Sequence, residues 1–181
     1  MAKYQSIKNY GNDRGLSCTF RQWRADHSHC STLHGYSLGV EFTFESETLD
    51  SRQWCFDFGG MKPIKAWLDF MFDHTTVIAQ DDPALEMFKN LALYSTIEEH
   101  NGKQSSPQDW EAPFAEGRVI DLRIVDGVGC ELFAKMIFEK TEELINGMKS
   151  GKNTRYDINP DVRLTSVKVY EHGANAARYS K

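Results

Sequence analysis

The sequence predicts an α+β fold in which paired strands carry helices on one face. Residues 38–45 alternate cleanly: Leu38, Val40, Phe42 and Phe44 fall on one side, Gly39, Glu41, Thr43 and Glu45 on the other. That is the pattern of an antiparallel strand with one wet face. The coarse element order is β-β-α-α, a polar stretch, then β-α-β, which fits strands and helices segregated into layers. No GxGxxG or GxxxxGKS/T run is present, so the common nucleotide-binding folds are not expected.

Each element has its own reason. Residues 16–23 read as the first strand and 38–45 as the second. The polar stretch 46–53 then turns the chain into a short strand at 54–58, ended by Gly59-Gly60. A helix over 62–72 places Ile64, Leu68 and Met71 on one stripe with Trp67 beside them, and Pro63 suits its first turn. Asp81-Asp82-Pro83 opens a second helix, roughly 83–94, with acids at the positive end of its dipole. Residues 98–117 are polar, with glycine and proline, and read as a surface excursion within a single domain spanning 1–181, pinned by Trp110 and Phe114.

After it come a strand at 119–125, a long amphipathic helix at 131–148 and a closing strand at 162–171. In the helix Leu132, Phe133, Met136, Ile137, Lys140 and Leu144 lie near one face. In the closing strand Leu164, Ser166, Lys168 and Tyr170 alternate with Arg163, Thr165, Val167, Val169 and Glu171. Phe42, Phe44, Trp54, Phe56, Phe58, Trp67 and Phe133 are the expected aromatic core.

Composition narrows the function classes. A net charge of −5 over 181 residues argues against broad binding to nucleic acid or anionic membrane, while leaving room for a local cationic pocket. No apolar run approaches the roughly 20 residues of a membrane span, and the N-terminus has no apolar signal core. Cys18, Cys30, Cys55 and Cys130 are widely spaced with no CxxC pair, which points to reduced thiols in a cytoplasmic protein. Cys18 and Cys55 sit in apolar runs and read as small buried hydrophobes.

The densest chemistry lies at His27, His29, Cys30 and His34, followed later by Asp73-His74. Cys30 occupies a polar segment with no core to fill, and neighbouring imidazoles can activate a thiol. Three imidazoles also match a zinc ligand set in number. Asp73 can orient His74. Glu131 and Glu171 are carboxylates able to accept paired N–H bonds from a guanidine-like ring.

Taken together, these segments resemble the 6-pyruvoyl-tetrahydropterin synthase / 6-carboxytetrahydropterin synthase family. The likeness rests on the strand end at Phe20, C-x-x-x-H-G at Cys30 to Gly35, and Asp57-Phe58-Gly-Gly-Met-Lys62. It continues through Phe72-Asp73-His74, Gly129-Cys130-Glu131-Leu-Phe-Ala and Val169-Tyr170-Glu171. The resemblance implies a T-fold, an antiparallel sheet with helices on one face, assembled around a β-barrel as a homohexamer (a dimer of trimers) with active sites between subunits. The implied substrate is 7,8-dihydroneopterin triphosphate. Cys30 becomes the general base, Asp73 and His74 a proton relay, Glu171 the pterin anchor and Glu131 a second acidic contact. The resemblance implies a pterin-forming lyase with a 6-carboxy- or 6-pyruvoyl-tetrahydropterin product; the spacing of Cys30 and His34 is closer to the bacterial, carboxy-forming branch, on the route to 7-deazaguanine compounds such as queuosine.

Two positions depart from the family pattern. Its zinc ligands are a histidine at the end of the first strand and the two of an H-G-H; here those positions read Arg24 and His34-Gly-Tyr36. The expected zinc ion would then rest on His34 with His29 and His27. Arg24 can replace some of the metal's charge or grip a substrate phosphate. Cys130 stands where a serine or threonine is usual. Beside the lyase reading stand two others: a related epimerase- or aldolase-like pterin enzyme, and a non-catalytic T-fold protein that binds a pterin or purine.

Overall fold

In the computed structural model the described residues are 3–92, 119–151 and 156–181. The excursion expected at 98–117 lies outside them, as does the end of the helix expected to reach Tyr94. Among the described residues seven strands and three α-helices run in the order β1 (Tyr4–Tyr10), β2 (Leu16–Phe20), β3 (His34–Ser46), α1 (Met61–Phe72), β4 (Thr75–Ala79), α2 (Leu85–Ala92), β5 (Leu122–Val125), α3 (Cys130–Lys149), β6 (Arg163–Tyr170) and β7 (Ala176–Ser180).

The long strand β3 organises the sheet. Its first half pairs with β2 and its second half with β1, both antiparallel on one edge. The other edge pairs with β6 only from Gly39 onward, so residues 34–38 have no ladder partner there. β7 closes an antiparallel hairpin on β6. The antiparallel sheet expected from sequence is therefore present, and it is extended by two parallel pairs, β2 with β4 and β4 with β5.

α1 and α3 cover one face. Phe20 and Phe72 each meet the Phe133 ring edge-on at 5.1 Å, above a floor of Leu38, Val40, Phe42 and Phe44. α2 adds a layer on the other side of the parallel strands, where Phe88 and Ala92 pack with Ile78, Leu122 and Ile124. β4 and β5 are buried along their whole lengths, as parallel strands covered on both faces are. Thr75–Ala79 shows no alternation for that reason.

Several local expectations are corrected. The strand expected at 54–58 is a turn followed by a 3₁₀ helix at Phe58–Gly60. Asp50 gathers the turn: its carboxylate accepts from the Arg52 and Trp54 backbone N–H groups, and its own N–H donates to the Trp54 carbonyl. Trp54 and Phe58 are consequently about half exposed, while the other expected aromatic core residues are buried. Leu132 is also exposed, whereas Lys140 is buried on α3 with its ammonium on Glu143. In β6 the register shifts between Thr43 and Phe44, which pair with Ser166 and Leu164. The extra residue, Thr165, is a β-bulge that reverses the alternation. Leu164, Val167 and Val169 all face the core as a result.

At the start of α3, Gly129 has φ +117°, and a Cβ there would fall 2.8 Å from Gln22 Nε2. Gly129→Ala is expected to destabilise the protein by about 1–3 kcal/mol through this backbone strain and crowding. Chemical denaturation checks it; an unchanged midpoint would show that the loop can relax at no cost.

Candidate active site

Cys30, Tyr36, Cys130 and Glu171 converge at the unpaired edge of β3. β2 ends at Phe20, three residues before the expected boundary, because the Gln22 backbone N–H donates to the Cys30 carbonyl at 2.7 Å and leaves the ladder. The Ser28 hydroxyl caps the short 3₁₀ helix His29–Ser31 by accepting from the Cys30 N–H. Cys30 is thereby held by both its backbone groups on a one-turn platform, half-buried.

Tyr36 sits at the centre of this cluster. Its ring stacks on Phe20 with centroids 3.8 Å apart and planes within 10°, and His34 leans on it at 4.5 Å. Burial, then the charges of Glu171, Cys30 and Cys130, push the phenol's pKa well above its usual value. Glu171 acts on the phenol through its charge and through a loose side-chain contact that falls short of a full hydrogen bond. The buried Tyr36 hydroxyl has no hydrogen-bond partner, a state that costs about 1–3 kcal/mol. Such groups in a folded protein call for an explanation.

Cys130 opens α3 and is pushed up to about 11 by burial, then by Glu171 and Glu131. Glu171 begins the β6–β7 turn. Asn175 steadies it twice, with Nδ2 donating to the carboxylate at 3.3 Å and its carbonyl accepting from the Glu171 N–H. His34, Tyr36, Glu171 and His172 line one cleft together with Asn12. Asn12 Nδ2 donates to the Ser37 carbonyl at 2.6 Å and lies 3.4 Å from that of Tyr170, clamping the two strand ends beside the cleft. Sequence reasoning missed Asn12, since a lone asparagine before a turn glycine carries no signal of the strands it will join.

Asp73 and His74 form the expected pair, with Asp73 Oδ1 2.8 Å from His74 Nδ1. His74 has φ +56° at the turn from α1 to β4, and its ring is exposed. It lines a different cleft with Ser17, Thr19, Gly35 and Thr76. In β2 and β3, Ser17, Gly35 and Ser37 are the exposed positions, while Cys18 and Tyr36 are buried toward the helices. His74 thus lines one cleft and Tyr36 and Glu171 another, with Gly35 bordering both.

The three candidate metal-binding imidazoles are not brought together. His34 Nδ1 lies 2.7 Å from the Thr32 carbonyl, and His29 is exposed on the capped 3₁₀ helix. His27 lines a third cleft with Trp23, Arg24 and Asp81. Beside His27, the Asp81 carboxylate accepts from Trp23 Nε1 at 3.2 Å and from Arg24 at 2.5 Å. These bonds tie the start of the segment after β2 to the end of β4. Among the described residues no three His, Cys, Asp or Glu side chains are placed to hold a metal ion. Within one chain the expected donors His34, His29 and His27 thus lie apart from one another. Arg24 is likewise mostly exposed, stacked 4.7 Å over Trp23, and outside the Tyr36 cleft. All four cysteines are free thiols, and among the described residues no helix is long and apolar enough to cross a membrane.

A sheet crossed by two helices, with a thiol, a phenol and a carboxylate at its open edge, defines an α+β protein of the T-fold type. The chain belongs to the 6-pyruvoyl tetrahydropterin synthase family, whose sequence profile it matches over residues 12–181. It is 37% identical over 67 residues to a 6-carboxy-5,6,7,8-tetrahydropterin synthase of Rickettsia typhi, a stretch covering 36% of this chain and 47% of that protein. A Rickettsia felis protein of the same name is 35% identical over 54 residues, covering 29% and 39%. The matched segment thus spans less than half the length of either relative. Among solved structures, an uncharacterized protein of Wolinella succinogenes superposes with TM-score 0.73 at 20% identity, covering 100% of this chain and 99% of that one. A Plasmodium vivax 6-pyruvoyltetrahydropterin synthase, in a catalytic-residue variant, gives 0.59 at 14% identity with the same coverage. Both likenesses show the fold.

Proposed function

We propose that this protein is a lyase acting on 7,8-dihydroneopterin triphosphate, with a 6-carboxy-tetrahydropterin as product. The observation that carries this reading is the convergence of Cys30, Tyr36, Cys130 and Glu171 at one strand edge. Family membership and the names of the two Rickettsia relatives support the substrate class and the carboxy product.

Each residue has a role its surroundings suit. Glu171, steadied by Asn175, presents a carboxylate able to accept two N–H bonds from the guanidine-like edge of a pterin. Glu131, one residue beyond Cys130 at the start of α3, adds a second acidic contact near the pocket. Cys30 takes a proton from the substrate side chain next to an oxygen-bearing carbon. Asp73 orients His74, which exchanges a proton at the other face of the reacting side chain.

Because His74 lines a different cleft from Tyr36 and Glu171, the reading places the complete site between two copies of the chain. A closed homo-oligomer supplies it, with the pair of one subunit facing the cluster of the next. This accounts for an exposed catalytic imidazole in an otherwise well-packed chain.

The test is direct. Purified protein is incubated with 7,8-dihydroneopterin triphosphate and the products are separated by reversed-phase chromatography with mass detection. A 6-carboxy-tetrahydropterin is expected. Turnover of unphosphorylated dihydroneopterin alone would replace this reading with the epimerase- or aldolase-like one, and tight pterin binding without turnover would replace it with the binding protein.

A further inference from the structure

We propose that Ser17 and Thr19 form a subsite beside His74 that binds two neighbouring hydroxyl groups of the substrate's side chain. This rests on the reaction proposed above and names the contacts that set its specificity.

The cleft that His74 lines has a volume of about 510 Å³, room for a short carbon chain with its hydroxyls. Ser17 and Thr19 lie two residues apart on β2, where the buried positions alternate with them, so both project from the wet face, roughly 7 Å from each other. That is the span of two adjacent ligand hydroxyls with a hydrogen bond at each end. Ser17 is exposed, and its hydroxyl has no hydrogen-bond partner among the described residues. Thr19 is partly exposed, and its hydroxyl lies 3.0 Å from that of Thr76, its register partner on β4. This contact fixes the Thr19 rotamer and uses only one of the two hydroxyl protons. Either atom can be the donor, so Thr19 meets a ligand as donor or as acceptor. A ligand hydroxyl satisfies both arrangements, whereas a phosphate oxygen satisfies only the first.

Charge points the same way. Among the described residues no lysine or arginine lines the cleft, and its one carboxylate, Asp121, is already bound to Arg123 at 2.6 Å. The uncharged, hydroxylated carbons therefore enter the cleft and the triphosphate stays outside it. The reacting group is fixed beside them. The His74 backbone N–H donates to the Ser17 carbonyl at 2.7 Å, and Asp73 engages Nδ1, which leaves Nε2 for the ligand. An imidazole that exchanges a proton with a side-chain carbon needs that carbon held in place, and two hydrogen bonds on the neighbouring hydroxyls supply this.

The experiment measures binding of 7,8-dihydroneopterin triphosphate by calorimetry in the full-length assembled protein carrying Cys30→Ala, so that turnover does not intervene. Adding Ser17→Ala or Thr19→Val is expected to weaken binding about 3–10-fold each, the value of one neutral hydrogen bond. The same measurement on the epimer at the second side-chain carbon, which presents one hydroxyl on the wrong side, should show a smaller loss. The preference between the two compounds then falls, which a merely structural role would not cause. Ser17 is exposed, so Ser17→Ala reports even if Thr19→Val disturbs the sheet. Unchanged affinity in both variants would overturn the subsite, as would an equal loss for the two epimers. A wild type without turnover, whose Cys30→Ala form still shows these losses, would overturn the reaction and keep the subsite. An active wild type indifferent to both substitutions would do the reverse.

Discussion

Replacing Cys30 with alanine is expected to lower kcat by about 10²–10⁴-fold, the contribution of a positioned general base. The side chain sits on a platform tied by the Gln22 and Ser28 contacts, so its loss should leave the fold intact and leave pterin binding, which depends on Glu171, nearly unchanged. Steady-state kinetics beside equilibrium binding of the substrate would check both halves. The same variant tests the shared site. Mixed with His74→Ala protein after dissociation and reassembly, it should recover activity at about one site in four, the fraction of interfaces that join two intact contributions. No recovery in verified mixed oligomers would place both groups in one chain's own site, against the two clefts seen here.

The largest loss of stability is expected at Arg21→Ala, about 3–5 kcal/mol, because it strands a buried carboxylate. Arg21 grips Asp82 with two hydrogen bonds of 2.8 Å, from Nε and one terminal nitrogen, and the Asp82 side chain is fully buried. A third bond, from the Ala84 N–H, completes the carboxylate's shell. The pair latches the end of β2 to the turn between β4 and α2, directly beside Asp81 and its hold on Trp23 and Arg24.

Urea denaturation of both proteins measures the loss, and its pH dependence has a definite sign. Burial by itself would raise the Asp82 pKa, but the bonds from Arg21 and Ala84 outweigh it and hold the group below its ordinary value. A depressed native pKa contributes stability that is fully present above the unfolded value of about 3.9 and is lost as pH falls through the native one. The gap between wild type and Arg21→Ala should therefore be constant near neutrality and narrow in acid below about pH 4. A gap that widened in acid would contradict the assignment.

How much of this was legible beforehand varies by element. The alternation in 38–45 located β3 and its buried face correctly, because one side of that strand packs on helices and the other is wet. The same argument failed in β6, where the bulge at Thr165 changes the face without changing composition. β4 has no alternation to read, because α2 covers the face that would otherwise be polar. Cys30 and Glu171 stood out as candidates from residue type and the likeness to the family. That they meet around Tyr36 depends on strands far apart in sequence.

Tyr36 itself shows the limit most plainly. From the chain alone it was a tyrosine where a metal-binding histidine was expected, and His27 and His29 were the near substitutes by position. Sequence distance says nothing about where their side chains end up, with His27 lining a cleft beside Asp81, some fifty residues on. The sequence by itself determined the α+β class, the family and the identity of the thiol and acids, since these follow from local periodicity and from motifs within short stretches. Only the tertiary structure decided which of these residues share a cleft, that the histidines do not, and that a phenol does. Those are consequences of long-range pairing and of buried polar groups competing for partners, which no local pattern records.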